Sequence, residues 1–77
     1  MERIIEVSIF TLSLTQRSTR FISSYIEFDI KCDILFRDVT VFWDKYILKL
    51  NGDEKDIQRY IDHLLNLGFK IRMARYN

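Results

Sequence analysis

Proline is absent from this sequence, and glycine occurs only twice, at Gly52 and Gly68. Long irregular loops draw on both residues, so the connections here must be short and few. The single cysteine, Cys32, excludes an internal disulfide framework and fits a reducing compartment. The single histidine, His63, has no second imidazole or thiol at ligand spacing, so no metal site is expected. There is no glycine-rich phosphate loop, and no stretch approaches the roughly 18–20 apolar residues that cross a bilayer. The start, Met1-Glu2-Arg3-Ile4-Ile5-Glu6, is acidic early and has no long apolar run, so it does not read as a signal peptide. The expected compartment is the cytoplasm. Twelve Lys and Arg stand against 11 Asp and Glu, a net charge of +1 at pH 7. That excludes a global electrostatic pull toward nucleic acid or membrane.

What is present is globular in character. The 77 residues are 48% apolar and 30% charged, which suits one domain spanning 1–77. A domain of this size buries only about 60% of the surface that its unfolded chain exposes.

Residues 3–12 read as a first strand. Ile5, Val7 and Ile9 share one face, and Glu6 and Ser8 share the other with Ile4 and Phe10. Ser13 and Thr15 can cap a helix over residues 16–27, with Phe21, Ile22, Tyr25 and Ile26 as its apolar stripe. Its serines and threonines are mediocre helix formers, so it should lean on tertiary packing. Residues 29–44 read as a second strand, with Cys32, Ile34 and Phe36 on one face and Val39, Val41 and Trp43 on a later one. Arg37 and Asp38 interrupt the alternation, through a β-bulge or a change of packing partner. Asp44-Lys45 is the expected hairpin turn into a third strand over residues 46–51, with Tyr46, Leu48 and Leu50 buried.

Asp53 can cap a second helix, whose first turn carries Glu54 and Asp56 where the helix dipole favours acid. Ile57, Tyr60, Ile61, Leu64 and Leu65 recur at helical spacing, and Gly68 supplies the left-handed stop. A fourth strand follows, with Phe69, Ile71 and Met73 inward and Lys70 and Arg72 outward. The order β-α-β-β-α-β with right-handed crossovers predicts an α+β, ferredoxin-like fold: a four-stranded antiparallel sheet in order 4-1-3-2, with both helices on one face.

No constellation of polar residues converges as catalysis requires, so a catalytic role is not expected. His63 reads as a helix-surface residue and Cys32 as a small hydrophobe in a strand. Asp29, Asp33, Asp38 and Asp44 are too dispersed for an acid–base pair. Trp43 beside Phe42 either covers the end of the core or anchors a partner. RNA binding would need stacking aromatics on the open face of the central strands. Phe10 stands there with Ile47 between Lys45 and Lys49, but the glycine-aromatic pattern of RNA-recognition strands is absent. The uncovered sheet face, with Ile4, Phe10, Ile47 and Phe42 among Glu6, Lys49, Lys70 and Arg72, is the expected contact surface. A homodimer through that face or an edge strand would relieve the small-domain stability problem.

Asp33-Ile34-Leu35, Leu48-Lys49-Leu50-Asn51-Gly52-Asp53 and Leu64-Leu65-Asn66-Leu67-Gly68-Phe69-Lys70-Ile71 together resemble the NIL domain family. The resemblance covers nearly the whole chain. Asp33 stands where the family motif has asparagine, and the connection around Trp43-Asp44-Lys45 is short and lacks the family's glycine. The resemblance implies a regulatory, non-catalytic module without cofactor or metal. NIL domains are appended to the ATPase subunits of methionine importers, where they bind methionine, and they also occur as short stand-alone proteins. In the family the ligand lies near strand 1 and helix 1 at a dimer interface. That directs attention to Ile9, Phe10, Thr11, Leu12, Ser13 and Thr15, with Phe42, Trp43, Ile47 and Lys49 as further ligand or partner candidates. The implied partners are a second copy and an amino acid such as methionine; the rival reading is an assembly factor or small subunit that docks on a larger protein complex through the open sheet face and Trp43. The isoleucine-, lysine- and aromatic-rich usage would suit an AT-rich plastid or cyanobacterial genome.

Overall fold

The computed structural model describes residues 1–10, 22–40 and 42–73. Its elements are β1 (Glu2–Phe10), a 3-10 segment (Ser23–Phe28), β2 (Lys31–Val39), β3 (Trp43–Asn51), α1 (Glu54–Asn66) and β4 (Lys70–Met73). The four strands form one antiparallel sheet in the order β2-β3-β1-β4, the ferredoxin-like arrangement expected from the sequence. The tips of the first two connections, residues 11–21 and 41, lie outside the described residues. So do the predicted caps Ser13 and Thr15 and the candidates Thr11 and Leu12.

The core lies on one face of the sheet. Ile5 and Val7 of β1 and Tyr46, Leu48 and Leu50 of β3 are fully buried there, against Ile57, Tyr60 and Leu64 of α1. Full burial of such a side chain contributes on the order of 1.5–3 kcal/mol. Ile22, Ile30, Ile61 and Phe69 complete the core among the described residues. The Tyr60 hydroxyl donates a 2.7 Å hydrogen bond to the Ile22 carbonyl, so the helix ties down the chain entering the 3-10 segment.

α1 ends in a Schellman motif. The Phe69 N–H bonds to the Leu64 carbonyl, the Gly68 N–H bonds to that of Leu65, and Gly68 has φ +101°. At the other end Asp53 occupies the N-cap position, but its side chain makes no capping bond. Only its carbonyl engages, accepting from the Ile57 N–H at 2.9 Å. Leu65 and Met73 are exposed, unlike their predicted inward placement. Leu65 falls just off the α1 stripe. Met73 pairs with Ile5 on the core face, but at the end of β4.

Three further expectations change. The described part of the first helix is a 3-10 turn ended by Asp29 in the left-handed region (φ 55°). That tighter winding turns Ile26 outward, 73% exposed, and brings Phe28 inward against Tyr60 with ring centroids 5.7 Å apart. The irregularity in β2 falls at Leu35, between Ile34 and Phe36, rather than at Arg37-Asp38. The extra residue puts Phe36 opposite Ile47 on the open face, so Cys32, Ile34 and Phe36 do not share a face. Finally, β2 ends at Val39, and Asp44-Lys45 is not the turn. Thr40 closes the hairpin: its N–H donates to the Trp43 carbonyl at 2.8 Å, and its hydroxyl oxygen accepts from the Trp43 N–H at 3.0 Å. β3 thereby begins at Trp43 and matches all of β1, with Phe10 opposite Trp43.

The open sheet face and its basin

The face of the sheet turned away from α1 is organised in rows across the strands. One row runs Asp38–Lys45–Ser8–Lys70 from β2 to β4, and the next runs Phe36–Ile47–Glu6–Arg72. Trp43 and Phe10 stand beyond them at the hairpin end. Ser8 is the shortest side chain among these, and a hollow opens above it. Glu6, Ser8, Trp43, Lys45, Lys70 and Arg72 line a basin of about 420 Å³. This lies within the range of small-molecule sites, roughly 300–1,000 Å³.

The basin carries three cations and one carboxylate. Lys45 Nζ lies 2.7 Å from one Glu6 oxygen, and Arg72 reaches the other through two nitrogens at 2.8 and 2.9 Å. Hydrogen bonds from Lys45 and then Arg72 hold the Glu6 carboxyl below its usual pKa range. Lys70 has no carboxylate partner among the described residues; its ammonium lies 5.4 Å from the centre of the Trp43 ring. The rim is aromatic. Phe10 meets Trp43 edge-on at 5.5 Å and lies parallel to Phe42 at 6.3 Å, and all three rings are 39–54% exposed. This arrangement can hold an anionic group, a cationic group and an apolar arm side by side.

The sequence-predicted candidates divide. Phe10, Phe42 and Trp43 come together on the rim. Ile47 and Lys49 lie on the same face but outside the basin, where Lys49 pairs with Glu2 at 3.1 Å. Ile9 is separated from Phe10 by the pleat and packs against the core, with Asp44 as its cross-strand neighbour. Trp43 stands on the open face, edge-on to Phe10, rather than among the buried core residues described. Ser8 and Lys45 were missed as site residues, because a serine flanked by two lysines appears only once three strands are in register.

Two other candidate groups sit elsewhere. His63 lies at a tilt of 43° against the Phe28 ring, with centroids 5.2 Å apart. Cys32 packs against the core, where burial pushes its thiol up to about 11, leaving it a poor nucleophile at neutral pH. A smaller hollow of about 370 Å³ lies at the far end of the sheet, between Asp29–Lys31 and Asn51-Gly52. No helix among the described residues is long and apolar enough to cross a membrane.

No family model matches the chain, and no curated protein does. Solved structures do match. The C-terminal domain of an ABC transporter ATP-binding protein from Enterococcus faecalis superposes with TM-score 0.65 at 12% identity, covering 97% of this chain and 86% of that one. The de novo designed protein Ferredog-Diesel gives 0.66 at 10% identity, with 97% and 85% covered. The designed protein Foldit4 gives 0.60 at 13% identity over the full length of both. At these identities the shared property is the fold, and both a transporter-associated domain and designed chains adopt it.

Proposed function

We propose that this chain is a non-catalytic, regulatory binding module of the NIL type, and that its basin receives a free amino acid, with methionine the first to test. The observation behind this reading is the hollow over Ser8, where charges of both signs lie beside an aromatic wall. An amino acid has three parts to place. Its carboxylate suits Lys70 and Arg72, its ammonium suits Glu6, and a thioether suits Trp43 and Phe10; sulfur–aromatic contacts contribute about 0.3–1.5 kcal/mol. The shared fold with the C-terminal domain of a transporter ATP-binding protein supports a regulatory setting, since NIL domains belong to such subunits in methionine importers.

Thermal melting in the presence of each amino acid tests it. Methionine at a hundredfold over its dissociation constant should add about 2.7 kcal/mol of stability. For a domain of this size that raises Tm by on the order of 10 °C. Trp43→Ala and Lys70→Ala should each reduce the shift. A melting curve unmoved by every amino acid rejects the ligand assignment.

One observation favours a second reading, a small subunit that docks on a larger complex. Phe10, Phe42 and Trp43 form a half-exposed aromatic cluster of the kind that anchors interfaces. In that case a partner should co-purify from the native source, and Trp43→Ala should release it.

A further inference from the structure

The two edges of the sheet are unlike. β4 is four residues long and carries Lys70 and Arg72 on its open face, the short, charged form of edge that resists pairing with another chain. β2 is nine residues long and keeps three successive large apolar side chains, Ile34, Leu35 and Phe36, 48–50% exposed at its middle. Among the described residues no strand lies outside it. An edge of that kind is a template for one more strand. We propose that β2 takes up a short extended segment of another protein as a fifth strand. On the open face that segment presents a basic, an apolar and a second basic side chain. The site shares no residue with the basin over Ser8, so it goes beyond the amino-acid reading and stands or falls separately from it.

The charges on β2 select the occupant. Asp33 and Asp38 lie on the open face, on either side of Phe36. Among the described residues neither carboxylate has an ion-pair partner. Their cross-strand neighbours Lys49 and Lys45 pair with Glu2 and Glu6 instead. Arg37 stands on the other face, its guanidinium 5.7 Å from the centre of the Tyr46 ring. Two unmatched carboxylates thus bracket a half-exposed phenyl ring along a sheet edge.

The inner side of β2 shows what such a row accepts. There β3 sets Lys49, Ile47 and Lys45 opposite Asp33, Phe36 and Asp38. The bulge at Leu35 lets the regular two-residue spacing of β3 match the longer step from Asp33 to Phe36. A strand on the outer side meets the same row, so the spacing basic-x-apolar-x-basic fits there too. Its cations, unlike Lys45 and Lys49, face no carboxylate but these two. Ile34, half exposed on the core face, gains cover from the intervening side chains. In strand addition the main chain supplies affinity and alternate side chains supply specificity. The bulge also bends and twists β2, which suits a short segment better than a long flat one.

Fluorescence anisotropy of a labelled synthetic peptide is the test. The probe alternates threonine with lysine, isoleucine and lysine in turn, and its counterpart has glutamate in place of each lysine. The lysine peptide should bind at least about tenfold more tightly than the glutamate peptide, a difference of roughly 1.4 kcal/mol. The double variant D33K with D38K, its fold confirmed by circular dichroism, should reverse that preference. Neighbouring antiparallel strands bond through every second residue. N-methylation of the peptide at alternate residues should therefore abolish binding in one frame and leave it intact in the other. Lys70→Ala should leave the peptide affinity unchanged. Binding indifferent to both N-methylated frames is adsorption by charge alone and overturns the proposal. So does failure of both peptides to bind, a preference that the double variant retains, or loss of binding in Lys70→Ala, which would put the peptide in the basin. Sedimentation showing that the peptide binds only by dissociating a pair of chains would make a second copy the occupant and overturns it as well.

Discussion

The two faces of this sheet are built from the same strands, residue by residue in alternation, yet they use different forces. On the α1 side Ile5, Val7, Tyr46, Leu48 and Leu50 are sealed from water. On the other side their immediate neighbours Glu6, Ser8, Lys45 and Lys49 form ion pairs and a hollow. Burying an apolar side chain contributes on the order of 1.5–3 kcal/mol, whereas an exposed ion pair contributes about 0–1 kcal/mol. One face therefore holds the fold and the other is free to carry binding. In a two-layer domain this small, that division gives the open face chemical freedom and makes the core face intolerant of change.

Adjacent residues on β3 give the sharpest way to break the contrast. Leu48→Ala should cost about 2–5 kcal/mol, because it opens a cavity in a fully packed site. A chain of this size has about 4–12 kcal/mol of stability in total, so the variant should lose a large part of its cooperative unfolding. Ile47→Ala, one residue away but on the open face, should cost less than half as much. Urea denaturation measures both. Equal losses would mean that the open face is packed as tightly as the core, and the division would fail.

The two glycines extend the contrast from side chains to backbone. A Cβ at Gly52 would sit 2.8 Å from Ile30 Cγ2, inside the core-facing strand-to-helix turn. Gly52→Ala should therefore cost about 1–3 kcal/mol through overpacking, in addition to its positive φ. Gly68 has φ +101° but nothing within 4 Å of the added methyl. Gly68→Ala should cost only the backbone strain, on the order of 1–2 kcal/mol. If Ile30→Ala rescues Gly52→Ala but leaves Gly68→Ala unchanged, the contact with Ile30 is the cause at Gly52.

These differences track what the sequence made legible. Strand β3, helix α1 and the Gly68 stop are readable because local pattern and tertiary role agree: period two over Tyr46-Leu48-Leu50, helical spacing over Ile57-Tyr60-Leu64, and glycine where φ must be positive. The strand order follows from the element sequence and crossover handedness. The hairpin is misread because its turn contains neither glycine nor proline and is closed by the hydroxyl of Thr40, a contact that no periodicity reports. The bulge at Leu35 is misplaced for a related reason. Ile34, Leu35 and Phe36 are all apolar, so the slip leaves no break in hydropathy and only the pairing with Ile47 and Leu48 locates it. The basin is the least legible feature. Ser8, Lys45 and Lys70 are far apart in the chain and are joined only by a register across three strands.

The smallest expected effect belongs to Glu6, and its pH and salt dependence separates the two faces. Bonded by Lys45 and Arg72, the Glu6 carboxyl has a folded pKa below its ordinary, unfolded value. Its contribution to stability is therefore present above that unfolded value and disappears as pH falls through the lower folded one. Glu6→Gln should destabilise the chain by no more than about 1 kcal/mol at neutral pH, because the pairs with Lys45 and Arg72 face solvent. The difference between wild type and variant should vanish at low pH, and it should shrink with added salt as the ion pairs are screened. The Leu48→Ala deficit should do neither, since apolar burial carries no charge to titrate or screen. Denaturation of both variants across pH and ionic strength reads this directly. A Glu6→Gln effect as large and as salt-insensitive as the core effect would place Glu6 among the groups that hold the fold, rather than on a face left free for binding.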